Sequence, residues 1–215
     1  MAHTRKNPSK LLDPKVSVVI PAYNEKNTIC EILRRVEEVE MRKEIVVVDD
    51  CSKDGTREIL QELAARQARG KNLAPAPDGE DPVELRNLRI YFQRENQGKG
   101  AALRYRFAQA TGDIVLIQDA NLEYDPRDYP KLLEPIVEGR ADVVYGSRFL
   151  GGPQRVHYFR HYVANKALTL LSDTFTNLKL TDMGTCYKGY QIEIQPVWIR
   201  AGDCGDNCQG EMAYL

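Results

Sequence analysis

Three apolar runs dominate the first two thirds of the chain, and each ends in a carboxylate. They are V-S-V-V-I-P-A-Y-N-E (Val16 to Glu25), E-I-V-V-V-D-D (Glu44 to Asp50) and D-I-V-L-I-Q-D (Asp113 to Asp119). Continuous β-branched runs read as strands buried on both faces, as in a parallel sheet under helices. Behind the first run, Ile29, Ile32, Leu33 and Val36 recur at helical spacing, with Asn27 as N-cap. Behind the second, Ile59, Leu60 and Leu63 do the same, with Ser52 or Asp54 as cap. The pattern βαβα predicts an α/β fold, a mostly parallel sheet with helices on both faces. Ligands of such sheets bind beyond the carboxyl ends of the strands. Glu25, Asp50 and Asp119 are therefore expected on one rim, where gathered acids suit a metal ion or the hydroxyls of a sugar or ribose.

Residues 69–87 break the rhythm with Pro75, Pro77, Gly79, Asp81 and Pro82, and read as a Pro-rich surface insertion. A third strand is expected over Leu88 to Phe92. Asn96-Gln-Gly-Lys-Gly100 then opens a helix through Leu103, Phe107 and Ala110. After the Asp119 strand comes a helix carrying Tyr129, Leu132, Leu133, Ile136 and Val137. A short fifth strand over Asp142 to Tyr145 ends at Gly146-Ser147-Arg148, and a helix of aromatic and basic residues runs from Arg155 to Leu171. No repeat or linker divides the chain.

A length of 215 residues allows one large domain with a full core. The net charge of −1 predicts no general attraction to nucleic acid or anionic lipid. Cys30, Cys51, Cys186, Cys204 and Cys208 form no C-x-x-C pair, and their scatter suggests reduced thiols in a cytoplasmic protein. No nearby His completes a zinc set for Cys204 and Cys208. Residues 1–15 read as a basic flexible tail without the apolar core of a secretory signal. No run approaches the ~18 apolar residues of a membrane span, so a membrane-bound substrate would be reached from the surface.

Adjacent Asp49 and Asp50 repel each other, which a strand end with a helix cap does not explain, so Asp50 is read as functional. Asp119, Asn121 and Glu123 offer oxygens at alternating positions, suited to Mg²⁺ or Mn²⁺ bridging a diphosphate; the plainer alternative is a polar turn before Pro126. The loop around Lys99 is not a Walker A sequence, since no Ser or Thr follows the lysine. Lys99 is a candidate polar contact there, and a simple turn explains it equally well. No G-x-G-x-x-G follows the first strand, which argues against a dinucleotide-binding dehydrogenase. Ser147 and Arg148 could hold an anion through the guanidinium fork. Arg155, Arg160 and His161 among Tyr158, Phe159 and Tyr162 form either a basic-aromatic face or a solvated helix with an aromatic core side. His157 and His161 lack an H-E-x-x-H context for zinc.

Taken together, V-V-I-P-A-Y-N-E, I-V-V-V-D-D-x-S-x-D-G-T, N-x-G-K-G-A-A, D-A-N-L-E-Y-D-P, G-S-R-F and T-D-M-x-T-C-Y-K resemble the motifs of family 2 glycosyltransferases, above all the dolichol- or polyprenyl-phosphate mannosyl- and glucosyltransferases. The likeness runs from about Val16 to Lys188. It implies a GT-A (Rossmann-like) domain over 16–195 that binds a nucleotide sugar, GDP-mannose or UDP-glucose, with Mg²⁺ or Mn²⁺. It implies inverting transfer to a polyprenyl or dolichyl phosphate by a cytoplasmic protein, peripheral at the cytosolic membrane face, with neither nucleic acid nor a transmembrane segment involved. By the same resemblance Pro21, Tyr23 and Glu25 hold the nucleoside, Asp50 faces the base, and Lys99 contacts the nucleotide. Asp119 and Asn121 stand at the D-x-D metal pair, with Glu123 at a third ligand position. Ser147 and Arg148 stand near the acceptor phosphate, and Asp119 and Arg148 are the expected catalytic pair. The same family acting on a soluble acceptor, or an impaired nucleotide-sugar-binding remnant, are the alternatives.

Three departures bear on activity. Asn121 replaces a charged metal ligand with a neutral oxygen, which lowers the expected metal affinity. Gly184 stands where the family commonly has Glu. Beyond about Gln195 the pattern stops, where relatives of this kind carry a segment like N-R-F-G-F-E-P-E-I. Codon degeneracy permits a coding of Pro196 to Cys204 that yields this segment in another frame. Residues 196–215 are therefore read as an aberrant, frameshifted tail, against the alternative of a genuinely divergent one; the coding DNA distinguishes the two.

Overall fold

The computed structural model describes residues 11–70, 83–96, 110–146, 159–176 and 187–191. The apolar runs become strands: β1 (Val16–Ala22), β2 (Lys43–Asp49), β3 (Leu88–Phe92) and β4 (Ile114–Ile117). Between and after them lie α1 (Ile29–Glu38), α2 (Thr56–Ala68), a 3-10 turn (Pro126–Asp128), α3 (Tyr129–Val137), β5 (Val143–Tyr145), α4 (Phe159–Thr176) and β6 (Lys188–Gln191). The sheet order is β3-β2-β1-β4-β6-β5. The first four strands pair in parallel, and β6 is antiparallel to both β4 and β5.

Val18 and Ile20 of β1, Ile45 and Val47 of β2, and Ile114 and Leu116 of β4 share one apolar cluster with the buried sides of α1, α2 and α3. Val19, Val46, Val48, Val115 and Ile117 face the other way and are equally buried. Burial on both faces explains why these strands are continuously apolar rather than alternating. The described helices α1 to α3 contribute to the first face.

Several sequence expectations change in detail. The N-cap position of α1 is Thr28 rather than Asn27. The described end of the expected helix through Ala110 lies outside any helix, and Leu103 and Phe107 fall outside the described residues. Most of the Pro-rich insertion also falls outside, but its end does not behave as surface: Leu85 is 2% exposed and belongs to the core. Helix α4 runs past Leu171 to Thr176. Strand β6 was not anticipated, because K-G-Y-Q is short and its ladder is formed with residues far away in sequence.

At the amino ends of β1 and β2, Ser17 and Glu44 are register partners. Glu44 is 3% exposed. It accepts from Lys15 Nζ (2.7 Å), Ser17 Oγ (2.6 Å), Thr111 N (2.8 Å) and Thr111 Oγ1 (2.7 Å), and pairs with Arg89 (2.6 Å). This cluster ties three strands and the entry to β4 together. Five residues along β1, about 17 Å away, the same strands end at the candidate site.

Candidate active site

The loops that follow β1, β2 and β4 leave the same edge of the sheet, as strand ends in register require. Ala22 pairs with Asp49, and Val19 with Ile117. Each loop carries a non-glycine residue with positive φ: Asn24 (57°), Cys51 (63°) and Leu122 (45°). Such conformations cost on the order of 1 kcal/mol or more and persist only where the surroundings hold them.

The first two loops hold each other. Three consecutive N–H groups donate across the gap: Asn24 N to Ser52 Oγ (3.0 Å), Glu25 N to Thr56 Oγ1 (2.8 Å) and Lys26 N to Asp54 Oδ2 (3.0 Å). Lys53 N donates back to Asn24 Oδ1 at 2.9 Å. Ser52 is therefore a clasp on the β1 loop and not a cap of α2. The N-cap position of α2 is Gly55 rather than Ser52 or Asp54, and Asp54, just before it, accepts from Thr56 N at 3.0 Å. Gly55 has φ of 107°, which lets the chain turn between these acceptors. Thr28 donates its hydroxyl to Glu25 Oε2 at 2.7 Å and so orients that carboxylate.

The adjacent acids Asp49 and Asp50 are separated by the alternation of the strand. Asp49 is fully buried, pairs with Arg57 at 2.6 Å, and accepts from Ser52 N at 3.2 Å. Asp50 turns to the cleft.

The third loop rests on Gln118, which is fully buried. Its Nε2 donates to Asp119 O (3.0 Å) and Tyr124 O (3.4 Å), and its Oε1 accepts from the Tyr129 hydroxyl (3.0 Å). Tyr187 donates to Asp125 O at 3.2 Å and stacks on Tyr124 with ring centroids 4.9 Å apart. Burial pushes the phenols of Tyr129 and Tyr187 well above the ordinary value, so both remain protonated donors. Asp119 and Asn121 thus project from a loop closed by one buried amide and three tyrosines. Sequence alone assigns no role to Gln118 or Thr56, and reads Ser52 only as a candidate helix cap. The readable signal was a buried-strand position occupied by an amide.

The result is a cleft of about 320 Å³ lined by side chains and backbone of Pro21, Tyr23, Glu25, Asp50, Asn96, Asp119 and Asn121, among others. That volume lies at the lower end for small-molecule sites. The three strand-end acids do converge. Glu123 is exposed and does not line the cleft; its N–H donates to Asn121 Oδ1 at 3.3 Å. Lys99, Ser147, Arg148, Gly184 and the tail 196–215 lie outside the described residues. Among the described residues, no three His, Cys, Asp or Glu side chains group as a metal site of their own.

A sequence profile of glycosyl transferase family 2 matches residues 17–195. The chain belongs to glycosyl transferase family 2. Among relatives in this family, dolichol-phosphate mannosyltransferase of Pyrococcus furiosus is 34% identical over 140 residues, covering 64% of this chain and 34% of that protein. Undecaprenyl-phosphate 4-deoxy-4-formamido-L-arabinose transferase of Pseudomonas fluorescens is 30% identical over 183 residues, covering 83% of this chain and 47% of that protein. The chain thus spans between about a third and a half of the length of these relatives. In fold, it resembles glucosyl-3-phosphoglycerate synthase of Mycobacterium tuberculosis, solved with Mn²⁺, UDP and phosphoglyceric acid. The TM-score is 0.57 at 22% identity, over 84% of this chain and 57% of the other. The GT-A, Rossmann-like architecture expected from the motifs is the one found: a six-stranded, mostly parallel sheet with helices.

Proposed function

We propose that this family 2 domain is an inverting glycosyltransferase that moves a hexose from a nucleotide sugar to a polyprenyl phosphate. The convergence of Glu25, Asp50, Asp119 and Asn121 on one cleft carries the reading. In it, Pro21, Tyr23 and Glu25 hold the nucleoside, Asp50 accepts from the base, and Lys99 contacts the nucleotide. The two named relatives act, by their names, on dolichol phosphate and undecaprenyl phosphate, which supports a lipid phosphate as acceptor.

The donor set in the cleft fits a hard divalent cation. At alternating positions on one loop it offers a carboxylate, Asp119, and a neutral oxygen, Asn121, and among the described residues no three acids group as a metal site of their own. Such a set suits an ion whose shell is completed by diphosphate oxygens rather than one caged by protein. Mg²⁺ or Mn²⁺ bound there would neutralise the diphosphate leaving group. Ser147 and Arg148 are assigned the acceptor phosphate, whose attacking oxygen is already anionic, so no strong general base is needed and positioning suffices. The new bond from that oxygen to the anomeric carbon forms as the bond to the nucleoside diphosphate breaks on the opposite side, inverting configuration.

The test is incubation with labelled GDP-mannose or UDP-glucose, Mn²⁺ and polyprenyl phosphate. Label is expected in the organic phase only when metal is present. Label transferred solely to a water-soluble acceptor would refute the lipid acceptor. A second reading, nucleotide-sugar binding with little turnover, is favoured by the neutral Asn121. Its mark would be nucleotide binding without product, unrescued by Asn121→Asp.

The Gln118 clasp gives a further expectation. Gln118→Met keeps the volume but removes the hydrogen bonds to the Asp119 and Tyr124 carbonyls and to the Tyr129 hydroxyl. Outer-shell partners of metal ligands typically matter by about 10-fold to 100-fold in affinity. The Mn²⁺ concentration for half-maximal transfer should rise by at least about 10-fold, more than kcat falls. An unchanged metal requirement would show that the clasp does not position Asp119.

A further inference from the structure

Arg57 makes more contacts than a counter-ion needs. Its Nε pairs with the fully buried Asp49 at 2.6 Å, while its own side chain keeps 24% exposure. That contact is enough to balance a buried carboxylate. The guanidinium also reaches β3: its Nη2 donates to the Gln93 carbonyl, and its Cζ lies 5.7 Å from the centroid of the Phe92 ring. Phe92 is the register partner of Asp49 at the end of β3. Gln93 N donates to Asp49 O at 2.9 Å. Both backbone groups of Gln93 are therefore held, one by Asp49 and the other by Arg57.

Gln93 is where the chain leaves β3 for the cleft. Three residues later, Asn96 lines the cleft together with Asp50. Asp50 follows Asp49 directly, and its N–H donates to Ala22 O at 2.9 Å. The Cys51 thiol adds a weaker link to Arg94 O at 3.7 Å. Two segments of the cleft wall thus start from one joint, and the Arg57 side chain bridges it. The Asp119 loop has separate support, through Gln118, Tyr129 and Tyr187.

We propose that Arg57 is a positioning residue for nucleoside recognition: by bridging the Asp49 carboxylate and the Gln93 carbonyl it fixes the Asn96 segment against Asp50. The proposal rests on the nucleotide-sugar reading, because that reading seats the nucleoside beside Asp50. Arg57 does not line the cleft. It acts through the backbone of Gln93.

In Arg57→Lys the ammonium can still balance Asp49, but it lacks the rigid fork that spans both acceptors. Calorimetry of the full chain with GDP and with UDP, each with and without Mn²⁺, tests the role. For the nucleotide that wild type binds more tightly, Arg57→Lys should raise Kd by about 10-fold, the scale of one lost hydrogen bond to a charged group. The factor by which Mn²⁺ tightens that binding should not change, because the metal is assigned to the Asp119 loop. Asp49→Asn combined with Arg57→Met removes both charges and leaves no buried ion unpaired. This double variant should show the same selective loss. Unchanged nucleotide affinity in either folded variant would overturn the proposal. So would a loss of nucleotide affinity together with the Mn²⁺ effect, the mark of general support of the fold. Wild type that binds neither nucleotide would overturn the nucleotide reading and this inference with it. The selective loss in a chain that forms no glycosyl product would support the role of Arg57 and refute the transfer reading alone.

Discussion

Asp119→Asn is expected to lower kcat/KM for sugar transfer by about 10²-fold to 10³-fold, the range seen when one preorganised electrostatic partner of a developing charge is lost. The substitution preserves shape, so the loop built on Gln118 should survive. The effect should be large because the other acids lining the cleft, Glu25 and Asp50, are assigned to the nucleoside and not to the metal. Asn121 beside Asp119 is neutral, and Glu123 is exposed and does not line the cleft. The mutant should also lose the Mn²⁺ dependence of nucleotide binding, measured by calorimetry with and without the ion. The converse change, Asn121→Asp, supplies a second carboxylate and should tighten metal binding, as added ligand charge does for hard cations. If Asp119→Asn bound nucleotide with undiminished metal dependence, the metal would have to sit elsewhere.

The second large effect concerns stability and lies at the other end of the sheet. Burial alone would raise the Glu44 carboxyl, but hydrogen bonds from Lys15, Ser17 and both groups of Thr111 outweigh it and hold the group at about 2, against an ordinary 4.5. A carboxyl whose folded value is depressed contributes stability that is fully present above its unfolded value. That contribution is lost progressively as pH falls from about 4.5 towards about 2. Glu44→Gln should destabilise the domain by about 2–3 kcal/mol at neutral pH. The cost stays below that of a fully buried pair because Lys15 and Arg89 retain side-chain exposures of 27% and 34% and can reach water. Urea unfolding at pH 7 and pH 3 checks this: the gap between wild type and mutant should be wide at the first and narrower at the second. Nucleotide affinity of the folded mutant should not move, because the cleft is about five strand residues away. A gap independent of pH would show that Glu44 acts through shape rather than charge.

The legibility of the site differs residue by residue. Glu25, Asp50 and Asp119 could be placed on one rim because a parallel sheet brings its strand ends to one edge, and strand ends were visible as the last residues of apolar runs. The different duties of Asp49 and Asp50 were not visible. Only the fold shows that one is matched to Arg57 in the interior and the other turns to the cleft. Ser52 reads from sequence as a helix cap because capping is a local pattern. Its actual partner is Asn24 N, 28 residues earlier. Gln118 reads as one position in a strand, and its bonds to Tyr124 and Tyr129 appear only when the following loop folds back. Leu85 sat in a polar, Pro-rich stretch and reads as surface, yet it is in the core.

By itself, the sequence determined the α/β class, the strands and helices with the strongest periodicity, the family, and which acids end the strands. These follow from periodicity and from motifs a few residues long, which the chain carries locally. The tertiary structure decided the antiparallel β6, the clasp between the first two loops, the buried support beneath Asp119, and the joint that Arg57 makes between the ends of β2 and β3. Each depends on which residues distant in sequence come to lie beside one another. Hydrogen bonds and burial are properties of those pairings, and no local pattern encodes them.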